Sequence, residues 1–127
     1  MTQKVLVVDD SRAIRSILSR MFKDYDFEVL QACNGEEAIQ VLAGTDSVSL
    51  ICVDCNMPEM SGIEMTRRLR GMPRFYRIPI IMITTETHAL IMEAAMQAGV
   101  NEYVMKPFSA DAILDKLRIL DILRDAA

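Results

Sequence analysis

No apolar run in this 127-residue chain approaches the roughly 18 residues that cross a bilayer. A signal-peptide pattern is also missing, because the first apolar run, Val5-Leu6-Val7-Val8, stops at Asp9-Asp10. Both absences argue against membrane insertion and make the cytoplasm the expected location. Basic charge is in deficit, with 14 Lys and Arg against 18 Asp and Glu, and a net charge of −4 argues against a nucleic-acid surface. The three cysteines are an odd number, and only Cys52 and Cys55 are spaced as C-x-x-C. Along one strand, three steps of about 3.3 Å put their Cα atoms beyond the ~7 Å reach of a disulfide, with side chains on opposite faces. They read as buried reduced thiols, and the same geometry excludes a metal site built on the pair. No linker, repeat or low-complexity tract interrupts the sequence. It is expected to form a single domain over 1–127 with no second, output domain, large enough to bury roughly two-thirds of its unfolded surface.

What the chain does have is a set of short apolar runs, each ending at a polar residue. Val5–Val8 leads into Asp9 and Asp10, Leu50–Val53 into Asp54, Ile80–Ile83 into Thr84, and Tyr103–Met105 into Lys106-Pro107. Runs without alternation predict parallel strands buried on both faces, and Phe27–Ala32 fits a further strand. Helical spacing fills the intervals. Ile14, Ile17, Leu18, Met21 and Phe22 follow Ser11 as N-cap. Asn34-Gly35-Glu36-Glu37 and Ser61-Gly62-Ile63-Glu64 open a second and a third helix with capping-box spacing, and Gly44 and Gly71 punctuate their ends. A fourth helix is predicted from Thr87 to Ala98, stopped by Gly99, and a fifth from Ser109 with Ile113, Leu117 and Leu120 on one face. Five strands alternating with five helices give an α/β, doubly wound parallel sheet with helices on both faces.

In such a sheet the carboxyl ends of the strands share one edge, where ligands bind. Asp9, Asp10, Asp54, Thr84 and Lys106 are therefore expected to converge. Carboxylates about 4 Å apart repel by roughly 4 kcal/mol per pair at an effective dielectric near 20, so the cluster calls for a cation. Oxygen ligands select a hard ion, and Mg²⁺, or Mn²⁺, suits a site that handles phosphate. Lys106, Thr84 and the ion around one central carboxylate can neutralise the oxygens of a transferring phosphoryl group, with Asp54 as nucleophile.

Asp9-Asp10, Asp54-Cys55-Asn56-Met57-Pro58, Thr84 and Lys106-Pro107-Phe108 together resemble the receiver domain of two-component response regulators, over essentially the whole chain. The resemblance implies a flavodoxin-like sheet in the order 2-1-3-4-5. It implies that Asp54 accepts a phosphoryl group from a histidine kinase, and that Asp10, Asp54 and the backbone carbonyl of Asn56 ligate Mg²⁺, with Asp9 acting through water. Lys106 would hold the phosphoryl group and Thr84 would close on it, while Tyr103 would turn inward as the switch. A cis Lys106-Pro107 bond is also implied. The likeness is to the stand-alone chemotaxis type, whose phosphorylated form binds a partner protein. Asn56 and Glu86, two residues beyond the acceptor and the switch hydroxyl, are polar and leave water a path, so a short phosphoryl lifetime is expected. Cys55 departs from relatives that carry a large side chain there.

Competing readings stay open at this stage: a receiver domain cut from a longer regulator, and an aspartate-based Mg²⁺-dependent phosphatase. The enzyme reading is disfavoured because Asn56 stands where such enzymes place a second acid. A flavin-binding protein fits less well, since carboxylates replace a donor-rich phosphate loop after the first strand. His88, the only histidine, has no metal-spaced partner and reads as a solvated residue in the first turn of the fourth helix. Arg67, Arg68, Arg70, Arg74 and Arg77 read as a solvated face balanced by acids. Most of the ten methionines belong to the core, whereas Ala89, Met92, Met96, Met105 and Phe108 are expected to face outward as an apolar partner surface formed by the fourth helix, fifth strand and fifth helix.

Overall fold

The computed structural model describes residues 2–122. Five strands, β1 (Lys4–Val8), β2 (Glu28–Ala32), β3 (Val48–Val53), β4 (Ile80–Thr84) and β5 (Glu102–Met105), alternate with α1 (Arg12–Asp24), α2 (Gly35–Ala43), α3 (Gly62–Arg70), α4 (Ala89–Ala98) and α5 (Ala110–Ile119). All strand pairings are parallel and the order is β2-β1-β3-β4-β5, so the chain reverses its direction of travel across the sheet between β1 and β3. The ends of these two neighbouring strands carry Asp9 and Asp54. The reversal is the crevice in which open parallel sheets bind ligands.

Because successive strand side chains point to opposite faces, the buried runs feed two separate core layers. Leu6, Val8, Ile51, Val53, Ile80 and Met82 pack with Ala38, Leu42, Met65, Leu69 and Ala95 of α2, α3 and α4. Val5, Val7, Leu50, Cys52, Ile81, Ile83 and Val104 pack with Leu18, Phe22, Ile113 and Leu117 of α1 and α5. Cys52 and Cys55 fall in different layers, as their spacing predicts, and all three cysteines are free.

The expected caps form. The side chains of Ser11, Asn34, Ser61 and Ser109 accept the amides of Ile14, Glu37, Glu64 and Ala112, and Gly44 and Gly71 close α2 and α3. Gly99, at φ 115°, ends α4 in the left-handed region that only glycine enters without strain. Several local expectations are corrected. Phe27 stands before β2 and meets Phe22 edge-on at 5.2 Å, a core contact rather than a strand position. Ile17, expected on the core face of α1, is exposed because α1 turns its neighbours Leu18, Met21 and Phe22 to the sheet. The predicted helix start at Thr87 is two residues early. His88 is the N-cap, its Nδ1 accepting the Leu90 amide at 3.2 Å, instead of a first-turn residue.

The arginine cluster is in part the solvated, acid-balanced face expected, with Arg67, Arg68, Arg74 and Arg77 exposed and Arg74 paired with Asp46 at 3.5 Å, and Arg70 is the exception. Arg68 does pair with Glu36 and Glu64. Arg70, however, donates to the carbonyls of Tyr76, Ile78 and Gly99 and to Asn101 Oδ1, and Arg74 donates to the carbonyls of Ala43 and Thr45. Both guanidiniums satisfy main-chain oxygens that the loops at this end of the sheet leave unpaired. Of the single domain expected over 1–127, residues 1 and 123–127 lie outside the described residues.

Candidate functional site

Strand pairing draws the acids together. Asp9 continues the ladder by donating its N–H to the Ala32 carbonyl, and the Asp54 amide donates to the Val8 carbonyl. One ligand oxygen from each of Asp9, Asp10 and Asp54 lies within 4.8 Å of the others. Asp9 and Asp54 are buried and Asp10 is exposed. An all-oxygen donor set of three acids, one of them open to solvent, fits a hydrated divalent cation such as Mg²⁺.

Lys106 supplies the opposing charge. Its Nζ donates to Asp9 Oδ2 at 2.8 Å and to Asp54 Oδ2 at 3.4 Å. Asp9 is held at its other oxygen as well, where Oδ1 accepts the Ser11 amide at 2.8 Å. Asp54 Oδ1 accepts the Asn56 amide at 3.4 Å, so Asn56 follows the acid in a tight turn with its own side chain exposed. The Lys106-Pro107 bond is cis, as the resemblance implies.

The end of β3 at Asp54 is seated against the start of α3. The Gly62 amide donates to the Cys55 carbonyl at 2.9 Å, and Thr66 Oγ1 donates to the Gly62 carbonyl. A Cβ on Gly62 would collide with the Asp54 carbonyl oxygen and crowd the end of Met82. Only glycine lets the helix start this close to the strand end.

Thr84 and Tyr103 make no hydrogen bond to the acids, and the main chain of one residue, Glu86, joins them to each other. Thr84, fully buried at the end of β4, accepts the Glu86 amide at 3.3 Å, and the Tyr103 hydroxyl donates to the Glu86 carbonyl at 2.8 Å. The Glu86 carboxylate in turn accepts the His88 amide. Glu86 is thus the joint of the β4–α4 loop, a role its place in the sequence does not reveal. Burial, then the nearby Cys55, Glu86 and Asp54, raises the Tyr103 phenol to about 12. Burial also raises the Cys55 thiol, helped by Glu86 and Asp54, which keeps it protonated beside the acids.

The expected partner face is only partly outward. Ala89 and Met96 are exposed, whereas Met92, Met105 and Phe108 are half-buried. The apolar residue most open on α4 is Leu90, at 68 %, which the sequence reading did not single out. Tyr103, Met105, Phe108, Ala112 and Lys116 line an open groove on this side.

Residues 5–118 match the response regulator receiver domain model. The chain is 40 % identical over 118 residues to the chemotaxis protein CheY1 of Helicobacter pylori, covering 92 % of this chain and 95 % of that one. Among solved structures it is similar to the chemotaxis protein CheY4 of Vibrio cholerae, with a TM-score of 0.88, 32 % identity, and 97 % and 100 % of the two chains covered. It is similar also to the receiver domain of a Pseudomonas aeruginosa sensor histidine kinase described with magnesium in its active-site cleft, at TM-score 0.84 and 26 % identity over 94 % and 97 %. With the sheet order, the acid cluster and the lysine already in place, the conclusion is that this chain belongs to the response regulator receiver domain family.

Proposed function

We propose that this domain is a phosphorylation-activated switch of a chemotaxis pathway, working in the cytoplasm and accepting a phosphoryl group from a histidine kinase on Asp54. The observation that carries the reading is the meeting of Asp9, Asp10 and Asp54 with one ammonium, Lys106, at the sheet reversal. A structural ion pair needs one acid, so three acids and a lysine at a strand-end crevice support the phosphoryl-site reading over a purely structural pair. The domain is a phosphoacceptor and not a turnover enzyme. Similarity to chemotaxis proteins over nearly the full chain favours the chemotaxis role.

In this reading an Asp54 oxygen forms the bond to phosphorus as the P–N bond to the donor imidazole breaks. Asp10, Asp54 and the Asn56 carbonyl would hold Mg²⁺, with Asp9 through water. The ion supplies charge neutralisation for the phosphoryl oxygens. Lys106 shifts its donation from the carboxylates to a phosphoryl oxygen. Thr84 would turn to donate its hydroxyl to the same group, drawing its oxygen away from the Glu86 amide that it accepts, which would free the β4–α4 loop and the Tyr103 hydroxyl held by it. The downstream partner then reads the α4, β5 and α5 face. Hydrolysis of the acyl phosphate, through water admitted past Asn56 and Glu86, resets the state.

The test is labelling by acetyl phosphate with Mg²⁺. Wild type is expected to label at Asp54, and Asp54→Asn to abolish it. Undiminished labelling of the variant rejects the reading.

A further inference from the structure

We propose that Arg15 is a positioning residue for the acid cluster, acting by locking the main chain of Asp9 so that the adjacent Asp10 carboxylate is presented to Asp54. The inference rests on the reading of that cluster as a Mg²⁺ site. Arg15 Nη1 donates to the Asp9 carbonyl at 2.6 Å, six residues back along the chain. With this bond, Asp9 is held at every polar atom: its N–H by Ala32, its carbonyl by Arg15, Oδ1 by the Ser11 amide and Oδ2 by Lys106.

The next residue has no such support. Asp10 is exposed, and among the described residues no hydrogen bond or ion pair holds its carboxylate. Its direction is set by the backbone between two fixed points, Asp9 behind it and the N-cap Ser11 ahead. The carbonyl of Ser11 is itself tied to the Arg15 amide at 3.0 Å. Arg15 therefore grips the Asp9–Ser11 turn twice, once through its side chain and once through its amide. Releasing the side-chain grip leaves the Asp9 carbonyl free to rotate and Asp10 free to swing into solvent.

Charge and position make opposite predictions, which separates them. Arg15 forms no ion pair among the described residues, and a guanidinium near a cation site repels the cation. If charge were its only influence, removing it would tighten Mg²⁺ binding. If it positions Asp10, removing it weakens binding, by about 10- to 100-fold as for other outer partners of metal ligands.

The experiment uses the full chain with Arg15→Met, which keeps the aliphatic stem, and Arg15→Lys, which keeps a charged donor. Mg²⁺ affinity is read by calorimetric titration, and amide exchange is read in metal-free protein. Arg15→Met is expected to weaken Mg²⁺ binding and to speed exchange selectively at the Ser11 amide, which Asp9 Oδ1 accepts, with Arg15→Lys recovering part of both. Unchanged or tighter Mg²⁺ binding in Arg15→Met, or exchange that rises equally across all strands, overturns the proposal. A wild type that binds no Mg²⁺ rejects the metal reading instead, while the metal-free exchange comparison still reports on Arg15.

Discussion

Lys106 stands closer to Asp9 than to Asp54: its Nζ is 2.8 Å from Asp9 Oδ2 and 3.4 Å from Asp54 Oδ2. The lysine is thus parked on the acid that is more deeply buried, and the Asp54 oxygen is only loosely engaged. Removing the lysine leaves the Asp9 carboxylate with one remaining donor, the Ser11 amide.

Lys106→Ala should therefore lower the stability of the metal-free protein by about 1–3 kcal/mol, the usual cost of stripping a partner from a buried polar group. Mg²⁺ should recover much of that loss, because it replaces the missing positive charge. Its affinity should be equal to or tighter than wild type, while phosphoryl acceptance falls. Denaturant melts with and without Mg²⁺, alongside labelling kinetics, check the three signs together. A large loss of Mg²⁺ affinity contradicts the assignment.

Gly62→Ala should disturb the Asp54 strand end more than the fold as a whole. Its Cβ meets main chain at Asp54, which cannot give way, whereas a Cβ at Gly35 meets the flexible side chain of Met60. Gly35→Ala is the control: both variants lose stability, and only Gly62→Ala should also lose Mg²⁺ affinity. Equal metal binding in the two would remove Gly62 from the site's support.

How far such details are legible in sequence depends on the distance over which they are decided. The strands, the acids at their ends and the order of elements follow from runs of apolar residues and from motif spacing, which are local. Arg70 could not be read the same way, because its carbonyl partner at Gly99 is 29 residues away. His88 as a cap and Glu86 as a joint were hidden for a related reason: both act through main-chain groups, which every residue carries. Ile17 shows the limit of periodicity, since a helix stripe wide enough to include it is wider than the face that α1 buries.

Arg70→Ala should cost about 2–3 kcal/mol of stability, since several carbonyls lose charged donors at once. Partial burial already lowers the Arg70 pKa, a sign that its charge is drawn from solvent into these contacts. Because the clamp lies at the opposite end of the sheet from the acids, Mg²⁺ affinity should not change. Urea melts and metal titration on the same samples test both halves.

The raised Tyr103 phenol fixes a sign for pH. A phenol that holds its proton up to about 12 in the folded state, against about 10 unfolded, contributes stability that is whole below pH 10 and lost as pH rises towards 12. Wild type should lose stability faster than Tyr103→Phe across that window. Parallel slopes would place the phenol in solvent.

Occupying Asp54 with beryllofluoride, a phosphoryl mimic, should change amide exchange between residues 86 and 105. The Glu86 amide should respond first, since Thr84 is its acceptor. Unchanged protection throughout that stretch would mean that the α4 and β5 face is not the switch.

The two ends of α4 are fastened unequally. Far from the acids, the Gly99 carbonyl is gripped by two nitrogens of Arg70, and Asn101 Oδ1 binds both that same guanidinium and the Ile80 amide. Near the acids, a lone imidazole caps the helix beside the Glu86 joint. If the proposed switch operates, such a helix would act as a lever with its pivot at Gly99, and a small release at residue 88 would be delivered as a sideways swing. The arc would be widest at the end that carries Leu90 and smallest at Ala98.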